Sequence, residues 1–564
     1  MPTVIVNGRE IEIEANERLN CIQAAQRADV EIPRYCWHPE LSVVASCRMC
    51  LVEVGERKPD CSIVMGPKLV PGCQTPVKPE TVIVSNSAAV IAAQKATLEY
   101  LLLNHPLDCP VCDQAGECYL QDYSYKFGRG YSRLQEPKVL RPDKDDIGDQ
   151  ITLFTDRCVM CTRCVRFTRE ISGTGELQVI DRGSHSEIDI FPGEPCNNKL
   201  AGNVVDLCPV GALCSKDFLY EQRVWWLESA ASVCPDCSTG CSIRIDQNKD
   251  VVYRLKPRQN PLAQGDFMCD EGRFGYKYIN RADRLTQPLM RFEGEQQAAD
   301  WETVFSGVRA AIEGAITSKP HAVAAVLSPW MTVEEAYLLA SHLKSLSKEI
   351  RLYLGPVRIA GEDDRYPKDV HGNAVEPTRF TICAEKCPNR TGVEAIIRHY
   401  QGSILSMDDF WKAVAAGQID AAYLVGGDPH EPWISEEQGQ TLETLKLTIV
   451  QDLLPSAASR RAHYVLPGGS FAERDGTFVN HAGLAQLIKR AMHSPEEARP
   501  DNRILWELAG RRGLFNSARL RTEIAETIPA LQSLGHKLGE FGVMLETPGK
   551  DARAAATVNA AASE

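Results

Sequence analysis

"NHPLDCPVCDQAGEC", residues 104–118, brings three cysteines, Cys109, Cys112 and Cys118, close enough to grip one metal centre and offers no fourth. Upstream, Val90, Ile91, Leu98, Leu101 and Leu102 recur at helical spacing and predict a helix over Ala88–Leu103. Pro106 disfavours helix at the residue before it, so that helix ends near Asn104–His105. His105 then stands at the helix exit, four residues before the first cysteine. A lone histidine is ordinarily a cap or a solvent-facing residue. Beside an incomplete ligand set, the run His105-x3-Cys109-x2-Cys112-x5-Cys118 reads instead as three thiolates and one imidazole, and histidine does ligate cluster iron.

Working outward, the chain has 564 residues, enough for several domains, and 21 cysteines, of which 19 precede residue 270. A net charge of −13 argues against a nucleic-acid binder, which needs a basic surface. No apolar run approaches the roughly 20 residues that cross a bilayer. The start, "MPTVIVNGREIEIE", lacks the basic and apolar stretches of a signal peptide. The expectation is a cytoplasmic protein whose membrane link runs through a partner. In that compartment clustered cysteines mean metal or redox chemistry rather than disulfides.

Three further sets follow the same logic. Cys36-x10-Cys47-x2-Cys50-x22-Cys73 suits a [2Fe–2S] cluster, because soft thiolates match cluster iron. Spacing leaves its fourth ligand open between Cys61 and Cys73, and a structural zinc site is the alternative occupant. Cys158-x2-Cys161-x2-Cys164, with Cys208-Pro209 much later, is the bacterial ferredoxin pattern with its last cysteine displaced, a [4Fe–4S] signal. Cys234-x2-Cys237-x3-Cys241-x27-Cys269 permits a zinc knuckle, but beside three iron–sulfur-like sets it reads as another [4Fe–4S] site. Cys21, Cys61, Cys196, Cys214, Cys383 and Cys387 are left over, and packing is the ordinary role of such thiols.

"TVIVNGREIEIE" alternates apolar and polar residues about Asn7-Gly8 and predicts a β-hairpin. A helix is expected from Glu17 to Ala28, then strands near Leu51–Val54 and Thr81–Val84, an order that suits a ferredoxin-like β-grasp domain. From about residue 286 cysteine nearly vanishes. Helices there alternate with apolar strands at Ala322–Leu327, Ala421–Val425 and Thr448–Val450, an α/β pattern.

The stretches "IPRYCWHPELSVVASCRMCLVEV", "NHPLDCPVCDQAGECYLQD", "DRCVMCTRCVRFTREISG" and "GNVVDLCPVGAL" closely resemble the G, or 75 kDa, iron–sulfur subunit family of respiratory complex I, NADH-quinone oxidoreductase. In that family the last [2Fe–2S] cysteine shortly precedes Pro-Val. "GCQTPV" therefore implies Cys73, with Cys61 part of an insertion. The resemblance also implies that His105 ligates a [4Fe–4S] cluster with Cys109, Cys112 and Cys118. The fourth set looks like the extra cluster of some bacterial members. The region after it is similar to molybdopterin oxidoreductases through "LVGGDP" (424–429) and "ERDGTFVNHAGLAQ" (473–486). It departs from active molybdenum enzymes at Glu271 (usually lysine), Asp428 (usually asparagine) and Leu484 (usually arginine). It also lacks a cysteine at the usual metal-ligand place. The implied region is a short, vestigial scaffold without molybdenum.

The expected fold is a multidomain α+β chain. It comprises a [2Fe–2S] ferredoxin-like β-grasp domain (1–87), a one-histidine, three-cysteine [4Fe–4S] domain (88–140) and a ferredoxin-like [4Fe–4S] domain (141–226). A molybdopterin-oxidoreductase-type [4Fe–4S] domain (227–285), a truncated α/β molybdopterin-oxidoreductase-like domain (286–545) and a disordered tail (546–564) complete it. No flavin or nicotinamide fingerprint and no acid–base constellation appears, so the chemistry is one-electron transfer with no complete active site on this chain. The resemblance implies one [2Fe–2S] and three [4Fe–4S] clusters passing electrons from an NADH/flavin subunit to quinone-proximal iron–sulfur subunits of a proton-translocating oxidoreductase. It further implies a peripheral position on the cytoplasmic side of the bacterial inner membrane. The alternatives are an electron-transfer subunit of an NAD-linked formate dehydrogenase or hydrogenase, and a zinc-stabilised assembly scaffold.

Overall fold

Asn7 and Gly8 both take left-handed backbone angles, φ +48° and +83°. The tightest hairpin turn requires this of its two central residues. They join strand Thr3–Val6 to Arg9–Glu12 in the register Thr3↔Glu12. The Asn7 amide also exchanges hydrogen bonds with Ser85, at 2.8 Å each way, which ties the turn to the end of strand Thr81–Val84. The structure is a computed structural model that describes residues 2–14 and 16–546. The tail expected to be disordered, 546–564, lies outside the described residues from 547 on.

Around this hairpin the sheet runs in the order Arg9–Glu12, Thr3–Val6, Thr81–Val84, Leu51–Arg57, Ile63–Met65, with Thr3–Val6 and Thr81–Val84 parallel. Val4, Val6, Val52 and Ile83 bury one face against Ile22 and Ala25 of a single helix, the β-grasp arrangement. That helix spans Cys21–Arg27, shorter than the expected Glu17–Ala28. Asn20 caps the Gln23 N–H while the Gln23 side chain takes the Asn20 N–H, and this reciprocal box fixes the start. The next helix, Ala88–Leu102, is capped by Ser87 and exits toward His105.

The chain forms two compact units. The first holds residues 1–226 together with 366–376. Beyond the β-grasp sheet it contains helix Tyr119–Phe127, helix Arg163–Glu170, the short helix Asn203–Leu207 and the antiparallel pair Ile151–Leu153 with Leu213–Ser215. The 366–376 segment is fastened in place by the Lys368 N–H on the Ile171 carbonyl, at 2.9 Å.

The second unit begins with the antiparallel strands Glu228–Val233, Ser242–Asn248 and Val251–Pro257. Its main sheet has seven strands. Tyr464–Pro467, Leu447–Asp452, Ala421–Val425, Val323–Leu327 and Arg351–Leu354 run parallel, and an antiparallel hairpin, Leu289–Phe292 with Glu295–Ala298, adds the edge. The three central strands are buried along their whole length, which is why they read as near-continuous apolar runs. The strand expected at Thr448–Val450 extends to Leu447–Asp452. The chain order reverses between Val323–Leu327 and Ala421–Val425, and open sheets bind ligands at the carboxyl ends of such a reversal. A cavity of about 520 Å³ lies there, lined by Trp330, Gly427, His430, Trp433 and Asp452 among others. No described helix is long and apolar enough to cross a membrane.

Candidate metal centres

Strand pairing sets apart the two candidates for the fourth ligand of the first set, Cys61 and Cys73. Strand Val70–Pro71 pairs with Leu51 and Val52, and the Gly72 N–H meets the Cys50 carbonyl at 2.8 Å. Cys73 is thereby delivered to the other cysteines. Cys36 shares sulfur hydrogen bonds with Cys47 and Cys73, and Cys50 with Cys73. Those bonds hold the Cys36 thiol well below its usual range. Cys61 is exposed, in a left-handed turn (φ +65°) between strands Leu51–Arg57 and Ile63–Met65.

In the third set Met160 and Thr162 adopt φ of +49° and +59°, curling the Cys158–Cys164 run upon itself. Cys158, Cys161, Cys164 and Cys208 all line one small enclosed cavity with Val159, Pro209 and Val210. Burial pushes the Cys158 thiol up to about 12 and the Cys161 thiol to about 11. Such thiols lose their protons when a cationic metal centre binds.

The second set gathers Cys109, exposed, with buried Cys112 and Cys118, the last serving as N-cap of helix Tyr119–Phe127. The three sulfurs lie within electrostatic reach of one another. His105 is lowered to about 4 by burial and by the charges of Lys138 and Arg157, so it is neutral at pH 7. The Arg157 backbone opposes that lowering only weakly. A neutral imidazole keeps a lone pair on one ring nitrogen, the form in which histidine ligates metal. The Arg157 guanidinium is itself anchored on Asp108, at 2.9 and 3.0 Å.

The fourth set is buried throughout: Cys234, Cys237, Cys241 and Cys269 are at most 6% exposed. Cys234 and Cys241 are joined by a backbone hydrogen bond of 2.8 Å, and Cys269 caps the short helix Asp270–Phe274 by accepting the Gly272 N–H. Burial raises the Cys234 thiol, and Asp236 and the three partner cysteines add to the rise.

Among the described residues no three His, Cys, Asp or Glu side chains close on the point a single ion would occupy. Polynuclear clusters spread their thiolate ligands over more than one iron. Three observations favour them. Arg163 and Arg166 are 5% and 6% exposed and make no ion pair among the described residues. Two buried guanidiniums beside thiolates call for an anionic neighbour, and thiolate-ligated clusters are anionic. The Tyr35 hydroxyl, fully buried within reach of Cys47 and Cys118, has no hydrogen-bond partner. Lastly, glycines hug the sulfurs: a Cβ on Gly211 would stand 2.2 Å from the Cys112 sulfur, and one on Gly272 2.7 Å from that of Cys234.

The three sites of the first unit are physically joined. One Arg166 nitrogen donates to the carbonyls of both Cys36 and Cys161, linking the first set to the third. Arg163 adds a bond to the Trp37 carbonyl at 2.6 Å. The Pro209 carbonyl, next to Cys208, accepts the N–H of Tyr119, next to Cys118, at 3.0 Å, linking the third set to the second. Sequence reading missed Arg163, Arg166 and Gly211. Their one local signal is their place beside cysteines, in "TRCVR" and "CPVG".

In the second unit two departures from the molybdenum pattern are ion-paired and the third is packed. Glu271 pairs with Lys386 at 2.5 Å, Asp428 pairs with Arg358, and Leu484 is fully buried. Burial pushes the Cys383 thiol up, but hydrogen bonding to His481, Thr239 and Ser238 holds it below its ordinary value.

Family models match along the whole ordered series. They are a 2Fe-2S iron-sulfur cluster binding domain over 2–88, an NADH-ubiquinone oxidoreductase-G iron-sulfur binding region over 94–133 and an NADH-quinone oxidoreductase subunit 3 ferredoxin-like domain over 148–214. A molybdopterin oxidoreductase Fe4S4 domain matches 227–281 and a molybdopterin oxidoreductase model 284–366 and 403–511. The chain is thus an iron–sulfur protein in which [2Fe–2S] and [4Fe–4S] domains precede a molybdopterin-oxidoreductase-type region. Its curated homologues are the G, or 75 kDa, subunits of NADH-quinone oxidoreductase. The G subunit from Rickettsia bellii is 35% identical over 61% of this chain and 48% of its own length. The 75 kDa subunit of NADH-ubiquinone oxidoreductase from Reclinomonas americana is 36% identical over 66% and 52%. The chain spans about half the length of the curated relatives it matches. A chain of an NAD+-reducing [NiFe]-hydrogenase crystal structure is 26% identical, with TM-score 0.34, covering 40% of this chain and 91% of that one.

Proposed function

We propose that the chain is the iron–sulfur electron-transfer subunit in the peripheral arm of an NADH-quinone oxidoreductase. Cys36, Cys47, Cys50 and Cys73 hold one [2Fe–2S] cluster. His105 with Cys109, Cys112 and Cys118, Cys158 with Cys161, Cys164 and Cys208, and Cys234 with Cys237, Cys241 and Cys269 each hold a [4Fe–4S] cluster. When bound, the clusters supply one-electron transfer, and the protein supplies spacing, burial and hydrogen bonds that tune them. The observation that carries the reading is the pair of links, Arg166 between the first and third sets and Pro209 between the third and second. They support a route in the order first, third, second. The fourth set belongs to the other unit, and by likeness to the G-subunit family its cluster takes no part in that route.

The partners are a flavin-bearing, NADH-oxidising subunit at the entry and quinone-proximal iron–sulfur subunits at the exit. Leu107, Val111, Trp225 and Trp226, all more than half exposed, stand in or near the exposed segment that carries the second set and suit the exit partner. The assembly sits on the cytoplasmic face of a bacterial inner membrane, held there by its partners. The molybdopterin-type region holds no molybdenum.

Purification with native partners tests this. NADH added without oxygen should reduce the [2Fe–2S] signal in electron paramagnetic resonance (EPR), and iron and acid-labile sulfide should match one [2Fe–2S] and three [4Fe–4S] clusters. Zinc in place of iron, or a cluster set that NADH cannot reduce in the assembled complex, would overturn the proposal.

A further inference from the structure

The fourth set draws its cysteines from residues 234–241 and 269, and a third segment, 381–387, is fastened across them. The Thr239 hydroxyl donates to the Thr381 carbonyl at 2.6 Å and accepts the Cys383 N–H at 3.2 Å. The Ser238 N–H meets the Glu385 carbonyl at 2.9 Å. These bonds lay Lys386 against the ligand loop. Its side chain is 6% exposed, its ammonium sits 2.5 Å from the Glu271 carboxylate, and it lies within electrostatic reach of Cys237 and Cys269.

The pair is lopsided. Glu271 is 47% exposed and solvated on its far side, whereas Lys386 is enclosed. Water screens the carboxylate's field, while the buried cation acts through a medium of lower dielectric. At the cysteines the cation therefore outweighs its partner. Nothing else in the mechanism uses this ion pair.

Resting on the assignment of a [4Fe–4S] cluster to this set, we propose that Lys386 is that cluster's charge-compensating residue, a fixed cation that favours the reduced state, with Glu271 damping it. Reduction adds negative charge, so the cation stabilises the reduced form more than the oxidised one. Neither side chain is a ligand, so neither is needed to retain iron. The two should act on the potential with opposite signs.

The test uses cluster-loaded full-length chain in its native complex, with Lys386→Met, Lys386→Arg, Glu271→Gln and the Lys386→Met/Glu271→Gln pair. The relevant EPR signal is the one lost in Cys237→Ala. Redox titration should show Lys386→Met disfavouring reduction about tenfold or more, which is about 59 mV for a one-electron couple. Glu271→Gln should shift the midpoint the other way by less, Lys386→Arg should stay near wild type, and the double variant should lie between Lys386→Met and wild type, nearer the former. An intact cluster with an unmoved midpoint in Lys386→Met, or shifts of the same sign in both single variants, would overturn the inference. Loss of the cluster from Lys386→Met would overturn it too, by making the lysine a folding residue. Absence of any signal that depends on Cys237 would instead strike down the cluster assignment itself.

Discussion

The Arg166 guanidinium donates to the backbone carbonyl of Cys36, 130 residues away in sequence. The same nitrogen reaches Cys161 at 3.2 Å, so one buried cation serves two ligand loops. Arg166→Leu should lower the midpoint potentials of the first and third clusters together. It should also cost about 3 kcal/mol of stability, because two buried carbonyls lose a charged donor. Redox-titrated EPR and anaerobic denaturant unfolding measure the two effects. A shift confined to one cluster would mean that the shared nitrogen does not couple them.

On the proposed ligand set, His105 supplies a neutral imidazole where a thiolate would add a negative charge. His105→Cys should keep a [4Fe–4S] cluster at a lower potential, and His105→Ala should weaken or lose it. If the alanine variant leaves that cluster's EPR signal and midpoint unchanged, the fourth ligand lies elsewhere.

Gly211→Ala should lose the same cluster by another cause. The added methyl would stand 2.2 Å from the Cys112 sulfur, closer than any non-bonded contact, with the Cβ of Gln114 at 3.1 Å as well. Iron analysis should fall by one cluster while the [2Fe–2S] signal stays. Full iron content in this variant would show that Cys112 has room to move.

Burial raises Asp452 to about 6, against the opposing hydrogen bond from the Trp433 indole. A carboxyl raised on folding binds more protons in the native state, so this group's contribution declines as pH climbs from about 4 to about 6. The loss is on the order of 3 kcal/mol. In urea unfolding at a series of pH values, wild type minus Asp452→Asn should show that decline. A difference independent of pH would place the native carboxyl at its ordinary value.

Well-folded protein should contain neither molybdenum nor tungsten in stoichiometric amount. Glu271 is already committed to Lys386, and Cys383 hydrogen-bonds to His481. Elemental analysis decides, and one metal atom per chain would refute the vestigial reading.

Local chemistry explains what the sequence revealed. Asn7-Gly8 announces its turn because few other pairs tolerate two positive φ angles. The candidate cysteine sets announce themselves through close-spaced cores such as Cys158-x2-Cys161-x2-Cys164, to which one member is often remote. Spacing alone leaves Cys61 and Cys73 open and only the family resemblance of "GCQTPV" favours Cys73, because the strand pairing that carries Cys73 inward and leaves Cys61 at a turn has no local signal. Arg166 and Lys386 were equally hidden. Each has a partner in a segment more than a hundred residues away, the Cys36 carbonyl for Arg166 and the Glu271 carboxylate for Lys386, and nothing in the neighbouring sequence says where a long cationic side chain will come to rest.

The return of residues 366–376 to the first unit sets a timetable for biosynthesis. The segment closes over Ile171 and Gly173, where a Cβ on the glycine would meet the Asp369 carbonyl at 2.4 Å. It leaves the ribosome roughly 140 residues after Trp226. At about 5–20 residues per second that is a wait of roughly 7–28 seconds. During it the cysteines of the first three sets have all emerged, while the strap that binds Ile171 and Gly173 has yet to be made.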